Sequence, residues 1–510
     1  MLSKINSFGI LGIDAYPVEI EVDIALGLPA VNIVGLPDAS VKESKERIKS
    51  AIKNSGFNFP PKRITVNLAP ADIKKEGGNF DLAIALGILA SSGQLNKDLL
   101  ADYIILGELS LEGRLRRIKG AMPIAMKMRS SRIKNLILPY ANSREAGLIK
   151  GVDSFGVESI KDTIHFLSSS GKSIQPTKID LNNNLEDIQR YEVDFCEVKG
   201  QIMVKRAIEV AVSGGHNILM IGPPGSGKSM LAKRIPTIIP DMTEEEIIET
   251  TSIHSSLGLV PENSGLIFSR PFRAPHHTIS DVALIGGGSM PQPGEISLTH
   301  NGVLFLDELP EFHRNVLEAL RQPLEDGCVL ISRANKSLTF PSRFMLVCAM
   351  NPCPCGSLGQ LKAPCRCSTT QIARYRSKLS GPLLDRIDIH IEVPTARYQD
   401  IASNQPTETS SQIKERVNNT RAIQRERFPA IGISCNAQMG HKQIRKFCAL
   451  GKEENELLKM AMSELNFSAR AYDKILKVSR TIADLAGSEH IKTEHLSEAI
   501  QYRSLDRNFF

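Results

Sequence analysis

An eight-residue stretch near the middle of the chain matches the pattern Gly-x-x-x-x-Gly-Lys-Ser. Its members are Gly222, Pro223, Pro224, Gly225, Ser226, Gly227, Lys228 and Ser229. It follows the apolar run 217–221 and precedes the run 230–235, the strand–loop–helix order that a phosphate-binding loop requires. Glycines let the backbone turn so that several N–H groups face phosphate oxygens. The pattern therefore predicts an ATP site, with Lys228 on the β and γ phosphates and Ser229 on Mg²⁺.

An acidic pair stands at the end of a second apolar run. Residues 303–306 are four apolar side chains that predict a buried strand, and Asp307 and Glu308 follow at once. One carboxylate can organise Mg²⁺, and the other can polarise the water that attacks the γ-phosphate. Such a pair is common by itself. In a chain that also carries the loop 222–229, it predicts an ATP hydrolase with Asp307 on Mg²⁺ and Glu308 as the catalytic base.

Three further polar residues could complete this site. Residues 344–350 form another apolar run, which ends at Asn351, and an amide at that place could orient the attacking water. Arg386 lies in the run Gly-Pro-Leu-Leu-Asp-Arg-Ile-Asp, and Arg470 begins a helical stretch near the C-terminus. A single arginine is usually a surface or salt-bridged residue. Neither arginine is therefore assigned a role from its own position.

The elements that must position these residues fall into three regions and a linker. A chain of 510 residues is too long for one hydrophobic core. Residues 1–168 mix strand-like and helical runs, and 169–188 is a polar linker. Residues 189–400 alternate short apolar strands with amphipathic helices, which is typical of a parallel sheet. Residues 401–510 predict successive helices.

Composition excludes several classes of protein. No apolar run approaches the roughly 18 residues of a membrane span, and the acidic residues near the N-terminus do not fit a secretory signal. We therefore expect a cytoplasmic protein without a membrane partner. The net charge of +6 permits a nucleic-acid partner without requiring one. Nine cysteines, an odd number, argue against a disulfide framework and leave room for a metal site.

Four of the nine cysteines form two close Cys-x-Cys pairs. They are Cys353, Cys355, Cys365 and Cys367. Two pairs separated by a loop can converge on a tetrahedral Zn²⁺ ion in a reducing compartment. The usual spacing is Cys-x-x-Cys, however, and free thiols in a loop bent by glycine and proline are an equal alternative. The spacing leaves both interpretations open.

The whole set, taken in chain order, resembles an AAA+ ATPase with a helical lid. It comprises the phosphate loop, the Asp-Glu strand, the Asn-ended strand, the Leu-Leu-Asp-Arg run and an arginine in a helical bundle. Further runs resemble the bacterial magnesium-chelatase-like ATPases called ComM or YifB, and this resemblance covers the whole chain. The runs are 270–278, 293–298, 304–312 and 351–356.

The resemblance implies roles for three residues and a function. Asn351 matches the sensor-1 position, Arg386 the arginine finger and Arg470 the sensor-2 arginine. The family forms rings, expected to be hexamers, in which Arg386 reaches the neighbour's ATP. Members of the ComM type are ATP-driven DNA motors that promote branch migration during uptake and integration of transforming DNA. The resemblance thus implies a homo-oligomeric motor on branched DNA or on single-stranded/duplex junctions.

Spacing leaves room for two insertions in the ATPase region. More residues separate the loop lysine from the acidic pair than one strand–helix unit needs, and the surplus is 251–297. A second segment, 329–340, predicts a hairpin with a turn at 335–337. In related AAA+ clades such hairpins line the pore and grip DNA, so Lys336 and Arg273 are candidate phosphate contacts. Ordinary exposed cations are an equal alternative for both. His276 and His277 are given no catalytic role.

The N-terminal region resembles the proteolytic domain of Lon-type proteases, an α+β fold of the ribosomal-S5 domain-2 type. The segments that carry this likeness are 75–85, 107–115 and 136–140. A Lon protease needs a serine nucleophile activated by a lysine. This chain has Asn79 in place of the serine and, approximately, Met122 in place of the lysine. Neither side chain can do that chemistry, so an ATP-dependent protease is excluded.

A second functional class stays open beside the DNA motor. An AAA+ ring of the magnesium-chelatase type could instead be an ATP-driven chaperone that remodels a protein partner to load Mg²⁺ into a tetrapyrrole. The N-terminal region and the four cysteines argue against it, because chelatase ATPase subunits are expected to resemble this chain only across its ATPase part.

Overall fold

The computed structural model describes residues 2–169, 171–179, 191–288, 291–333, 336–360, 364–395, 398–402, 407–428, 432–465 and 467–505. The chain forms two compact units. The first consists of Met1–Ile188 together with Thr243–Phe268, and the second of Gln189–Met242 together with Ser269–Phe510.

A seven-stranded mixed sheet forms the framework of the first unit. In spatial order its strands are Ala30–Val34, Arg63–Ala69, Asp14–Ala25, Leu2–Leu11, Tyr103–Ile105, Asn135–Pro139 and Asp153–Val157. The two longest strands pair antiparallel, and Val18, Ile20 and Val22 alternate with more exposed residues along one of them. This alternation buries one face of the strand, which fixes its register. A short ribbon pairs Glu108–Leu109 with Leu115–Arg116.

Helices cover this sheet. They are Ala39–Asn54, Asp81–Ser91, Ala121–Met128, Tyr140–Gly147, Ile160–Ser168 and Glu244–Leu257, with a 3₁₀ turn at Lys97–Leu100. The helix Asp81–Ser91 is apolar nearly throughout and is buried along its entire length. Asp38 begins the preceding helix, because its side chain accepts a hydrogen bond from the Val41 N–H at 2.8 Å.

The helix Glu244–Leu257 belongs to the first unit, although its sequence lies between two stretches of the second. Thr243 and Glu246 form a capping box at its start. Near its end, the Ser255 hydroxyl donates to the buried carboxylate of Glu145, which also accepts the Met122 N–H at 3.0 Å. Burial raises the pKa of Glu145. The sequence predicted this helix as part of the 189–400 region. Its contacts with residues such as Glu145 place it in the first unit instead.

A five-stranded parallel sheet lies at the centre of the second unit. In spatial order its strands are Phe272–Arg273, Val303–Leu306, Met345–Met350, Ile218–Ile221 and Ile389–Glu392. Three of them coincide with the apolar runs that predict strands, and their residues are buried throughout. Uninterrupted apolar strands are typical of a parallel sheet covered on both faces. The parallel sheet predicted for this part of the chain is confirmed.

Helices and two small ribbons complete the second unit. Up to residue 402 the helices are Ile202–Gly214, Lys228–Arg234, Asp281–Ile285, Glu295–Leu298, Arg314–Ala319, Arg321–Asp326, Thr369–Arg376, Gly381–Leu384 and Tyr398–Ala402. Single 3₁₀ turns lie at Phe195–Glu197, Ile235–Thr237, Leu309–Glu311 and Asn436–Gln438. The ribbons pair Gly286–Gly287 with Gln292–Pro293 and Cys328–Arg333 with Lys336–Pro341. The second ribbon is the hairpin predicted at 329–340. Its turn was predicted at 335–337, but residues 336 and 337 belong to the second strand and pair with 333 and 332, and residue 335 lies outside the described residues.

The C-terminal region is helical, as predicted. Its helices are Ser410–Arg427, His441–Phe447, Lys452–Glu464, Ala469–Leu485 and Thr493–Gln501. Ile475 and Leu476 on one of these helices share a hydrophobic core with Ile218 of the parallel sheet. The helical region is therefore packed with the sheet in one unit. None of the helices that the structure describes is long and apolar enough to cross a lipid bilayer.

Candidate functional site

The loop 222–229 connects a buried strand to a helix, in the predicted order. The strand Ile218–Ile221 ends at the loop, and the helix Lys228–Arg234 begins within it. Gly227 has a φ of 90°, a left-handed conformation that strongly favours glycine over residues with a Cβ. The pattern of the sequence is thus matched by the backbone conformation that the pattern requires.

Lys228 folds its side chain back over the loop. Its ammonium donates to the carbonyl oxygens of Gly222 at 2.7 Å and Pro223 at 2.9 Å, and lies 3.4 Å from Oδ1 of Asn351. Burial lowers the pKa of Lys228, which the charge of Asp307 opposes. A partly desolvated cation whose described hydrogen-bond partners are all neutral oxygen atoms has strong affinity for an anion. Lys228 and Asn351, distant in sequence, are therefore brought together.

Ser229 and Asp307 also meet. The Ser229 hydroxyl donates to Oδ2 of Asp307 at 2.5 Å, joining the loop to the end of the strand Val303–Leu306. A hydroxyl and a carboxylate are the hard oxygen donors that Mg²⁺ prefers, and this ion commonly takes its remaining ligands from phosphates and water. The residues present fit a magnesium ion bound together with a nucleotide.

Glu308 is exposed and has an unusual backbone. Its φ is 51°, a left-handed value that is uncommon for a residue other than glycine and costs about 1 kcal/mol or more. Its N–H donates to Oδ1 of Asp307 at 2.9 Å. Nδ1 of His277 lies 3.5 Å from Oε2 of Glu308, and the rings of His276 and His277 are 4.1 Å apart. Sequence reasoning missed this contact, because only the fold brings residue 277 to the acidic pair.

The two arginines meet at one carboxylate. Arg386 is mostly buried and donates to Glu325 and, at 2.5 Å, to the Pro382 carbonyl. The exposed Arg470 lies 3.8 Å from the same Glu325 oxygen. The hydrogen bond from Arg386 lowers the pKa of Glu325. In the described part of the chain, the polar contacts of both arginines go to Glu325 and Pro382 and not to the loop 222–229.

A cavity of about 470 Å³ is lined by both chain neighbours of Gln201. Gln201 itself contacts the loop, because its side-chain amide donates to the Ser226 carbonyl at 2.7 Å and to the Pro394 carbonyl at 3.1 Å. The lining residues are Lys199, Gly200, Ile202, Lys205, Arg206, Glu209, Asp400, Thr407, Glu408, Ile413 and Arg416. The sequence did not reveal this cavity. Its one local signal is the exposed pair Ile202 and Met203 at the start of a helix.

The two candidate DNA-contacting cations differ. Arg273 is half-buried and forms a two-pronged ion pair with Glu295, with N–O distances of 2.8 and 3.1 Å. That pairing uses two of the five N–H donors of its guanidinium. Lys336 begins the strand Lys336–Pro341 and pairs in register with Arg333, next to the end of the hairpin. Its side chain lies outside what the structure describes, so its contact with DNA stays a prediction.

The four cysteines converge. The sulfur atoms of Cys353, Cys355, Cys365 and Cys367 all lie within 4.8 Å of one another. These are the only residues among those described whose ligand atoms are grouped closely enough to hold a metal ion with three or more His, Cys, Asp or Glu ligands.

The positions of the missing protease pair lie in the first unit. The Asn79 side-chain amide donates to the Lys119 carbonyl at 3.3 Å, and Met122 is fully buried. Neither side chain carries a group that could act as the nucleophile or the base of a protease.

Fold and site together define a mixed α/β protein of several domains. It has a phosphate-loop motif at the carboxyl end of a strand in a parallel sheet, and a helical C-terminal region. Three family models match the chain. They are described as magnesium chelatase, subunit ChlI, over residues 194–401; subunit ChlI of Mg-chelatase, over 20–142; and magnesium chelatase, subunit ChlI C-terminal, over 407–503.

Relatives match at full length. The competence protein ComM of Haemophilus influenzae is 45% identical over 507 residues, which cover 99% of this chain and 98% of that protein. YifB of Escherichia coli is 43% identical over 509 residues, with the same shares. The chloroplastic magnesium-chelatase subunit ChlI of Nicotiana tabacum is 21% identical over 373 residues, which cover 66% of this chain and 78% of that subunit. The chain belongs to the magnesium-chelatase-like ComM/YifB family of AAA+ ATPases.

The comparisons confirm the family inferred from the sequence and correct one expectation. Likeness to chelatase subunits was expected only across the ATPase part. The model described as subunit ChlI of Mg-chelatase matches residues 20–142, which lie in the N-terminal region. The N-terminal region therefore does not argue against a chelatase-like function.

Proposed function

We propose that this protein hydrolyses ATP at the loop 222–229 and uses the energy to drive a ring-shaped motor on DNA. The observation that carries the ATPase part is the 2.5 Å hydrogen bond between Ser229 and Asp307. It joins the loop to the acidic strand end in the way that a nucleotide–magnesium site requires.

Each residue of the site has a proposed role. Lys228 leaves the carbonyl oxygens of its own loop and binds the β and γ phosphates, while Ser229 and Asp307 hold Mg²⁺. When bound, Mg²⁺ neutralises charge that develops on the phosphates. Glu308 takes the proton of the attacking water, and Asn351 orients that water. We assign His277 as a positioning residue, because its ring is placed to orient the exposed carboxylate of Glu308.

We propose that the cavity beside Gln201 receives the nucleoside. Its volume of about 470 Å³ lies within the range of about 300–1,000 Å³ that is usual for ligand pockets. Apolar contact from Ile202 and Ile413 can hold a flat base, and Lys205 or Arg416 can contact the ribose.

The proposed assembly rests on the family of the chain and on the positions of two arginines. Arg386 and Arg470 lie together on Glu325 rather than on the loop of their own chain. We propose a homo-oligomeric ring, a hexamer, in which Arg386 acts as the arginine finger for the neighbour's ATP and Arg470 as the sensor-2 arginine. The finer domain assignment is proposed likewise: a Lon-protease-like domain at 1–168, a linker at 169–188, an AAA+ core at 189–400 and a helical lid at 401–510.

DNA is the proposed substrate because a full-length relative at 45% identity is named as a competence protein. The hairpin Cys328–Arg333/Lys336–Pro341 places two basic residues next to its end, since Arg333 and Lys336 are paired in register there, and basic residues are the type that contacts phosphates. The proposed activity is branch migration during recombination or natural transformation.

A remodelling chaperone is the second candidate. All three family models that match carry magnesium-chelatase descriptions, including the one at the N-terminus. In that case the same ATPase cycle would act on a protein partner. The ATP site would be unchanged, and only the substrate of the ring would differ.

One experiment separates the two candidates. The purified protein is mixed with a synthetic four-way DNA junction and ATP, and the conversion of junction into duplex products is measured, with Glu308→Gln as the inactive control. We expect ATP-dependent junction movement and DNA-stimulated ATP hydrolysis by the wild type alone. ATP hydrolysis that DNA does not stimulate, without junction movement, would reject the DNA motor and favour the remodelling chaperone.

A further inference from the structure

Four thiols converge in a loop that has little else to order it. Residues 351–360 and 364–368 contain no helix or strand. Cys353 is buried, Cys355 is exposed, and Cys365 and Cys367 are intermediate. Burial of apolar surface therefore does not explain why all four sulfur atoms meet. An irregular segment of this length needs another source of order, because each fixed residue costs about 1–2 kcal/mol of conformational entropy.

The distances between the sulfur atoms fit one metal ion. Cys353 Sγ lies 3.4 Å from that of Cys355 and 3.6 Å from that of Cys365, and the last two are 3.6 Å apart. In a tetrahedral site with Zn–S bonds of about 2.3 Å, neighbouring sulfur atoms are about 3.8 Å apart. A disulfide would bring two of them to about 2.05 Å. The cluster has the dimensions of a tetrathiolate site and not of paired disulfides.

We propose that Cys353, Cys355, Cys365 and Cys367 bind one Zn²⁺ ion, which fixes residues 351–360 and 364–368 beside the phosphate loop. Soft thiolate ligands in tetrahedral arrangement select zinc or iron among common ions. Four protein ligands leave no open coordination position, so the ion is structural and takes no part in the chemistry. Binding energy released at such a site stabilises the fold of the segment around it.

The segment that the metal would fix touches the nucleotide site at two places. Asn351, which lies near Lys228, is two residues before the first ligand. Gly356 follows the second ligand, and a Cβ at Gly356 would lie 2.4 Å from Cδ of Pro224, so the backbone there packs directly on the phosphate loop. Loss of the metal would release both contacts. This second part of the proposal rests on the proposed ATP site, whereas the metal site itself does not.

The first test measures metal in the purified full-length protein by elemental analysis. We expect one zinc per chain in the wild type and in Cys328→Ser, and none in the double variant Cys365→Ser/Cys367→Ser. Cys328 is a matched control because it is half-buried on the hairpin, outside the cluster. Wild-type protein without bound metal would overturn the site, and bound iron in place of zinc would overturn the choice of ion.

A second measurement does not depend on the folding of a variant. Wild-type protein is titrated with a mercurial thiol reagent while a chromogenic chelator records released zinc. Release of the full zinc content as the thiols react supports the thiolate site, and retention of zinc after complete thiol modification contradicts it. Replacement of the zinc by Co²⁺ should give the absorption bands of tetrahedral thiolate coordination, and a spectrum of octahedral coordination would contradict the site.

The contribution to the nucleotide site has its own readout. In equilibrium binding of a fluorescent ATP analogue, we expect Cys365→Ser/Cys367→Ser to bind about tenfold more weakly than wild type, with Cys328→Ser unchanged. A zinc-free variant that keeps the wild-type affinity would refute the proposed support of the loop. Lys228→Ala separates the two proposals: it should lose nucleotide binding and retain its zinc, so failure of one proposal is distinguishable from failure of the other.

Discussion

Acidification should destabilise the second unit through one buried histidine, His216. Its side chain is completely buried just before the strand Ile218–Ile221. One ring nitrogen lies 2.8 Å from the Thr481 hydroxyl, and the other, Nδ1, has no hydrogen-bond partner among the described residues and lies 3.9 Å from an Asp388 oxygen. Burial lowers the pKa of His216 from 6.5 to about 4, although Asp388 opposes the shift.

The sign and size of the effect follow from proton linkage. Between pH 6.5 and about 4 the unfolded chain holds a proton on this ring that the folded chain does not, so stability must fall as the pH falls. The fall of the His216 pKa from 6.5 to about 4 corresponds to about 3 kcal/mol of unfolding free energy across the whole window. Asp388 does not obscure this: burial would raise its pKa, but Lys474 and His216 lower it to about 2, below the window.

The assay is chemical denaturation at pH 7 and at pH 4.5, followed by circular dichroism. Hydrogen exchange in peptides from Ala469–Leu485 assigns the transition to the second unit. His216→Gln cannot gain a proton, so its free energy of unfolding should change less between the two pH values than that of wild type. The control is His441→Gln, since His441 is exposed. Equal pH dependence in wild type and His216→Gln would refute the reasoning.

Three further predictions concern the ATP site. Lys228→Ala should abolish nucleotide binding, whereas Glu308→Gln should retain binding and stop ATP turnover. Binding is measured with a fluorescent ATP analogue and turnover by phosphate release. Turnover by Glu308→Gln would show that Glu308 is not the catalytic base. Arg386→Ala should bind ATP normally and hydrolyse it about 10³-fold more slowly, and full activity in a demonstrably monomeric variant would contradict a site shared between neighbours. His277→Ala should lower kcat about tenfold with KM unchanged, because the Glu308 carboxylate loses its contact with the His277 ring. His276→Ala serves as the matched control. A change in KM alone would indicate a role of His277 in binding instead.

The part of the fold that the sequence predicts is the part that local patterns define. Apolar runs predict the strands at 217–221, 303–306 and 344–350, because a strand buried on both faces consists almost entirely of apolar residues. The glycines and lysine of 222–229 specify a backbone conformation within eight residues. Residue types also decide what is impossible: Asn79 and Met122 exclude protease chemistry wherever the fold places them.

Only the tertiary structure decided which groups far apart in sequence come into contact. The helix Glu244–Leu257 joins the first unit because buried polar groups such as Glu145 must be satisfied, and Ser255 supplies the partner. Arg386 and Arg470 both contact Glu325, and His277 lies close to Glu308. These residues are far apart in sequence, and the hydrophobic periodicity of the sequence does not predict such contacts.

The four cysteines show the same division most plainly. Their spacing leaves zinc and free thiols equally open, because sequence separation does not fix the direction in which a loop returns. Once the fold brings the sulfur atoms within 4.8 Å of one another, the number, type and separation of the ligands favour one ion. The sequence by itself determines which atoms are able to bind; the path of the backbone determines whether they meet.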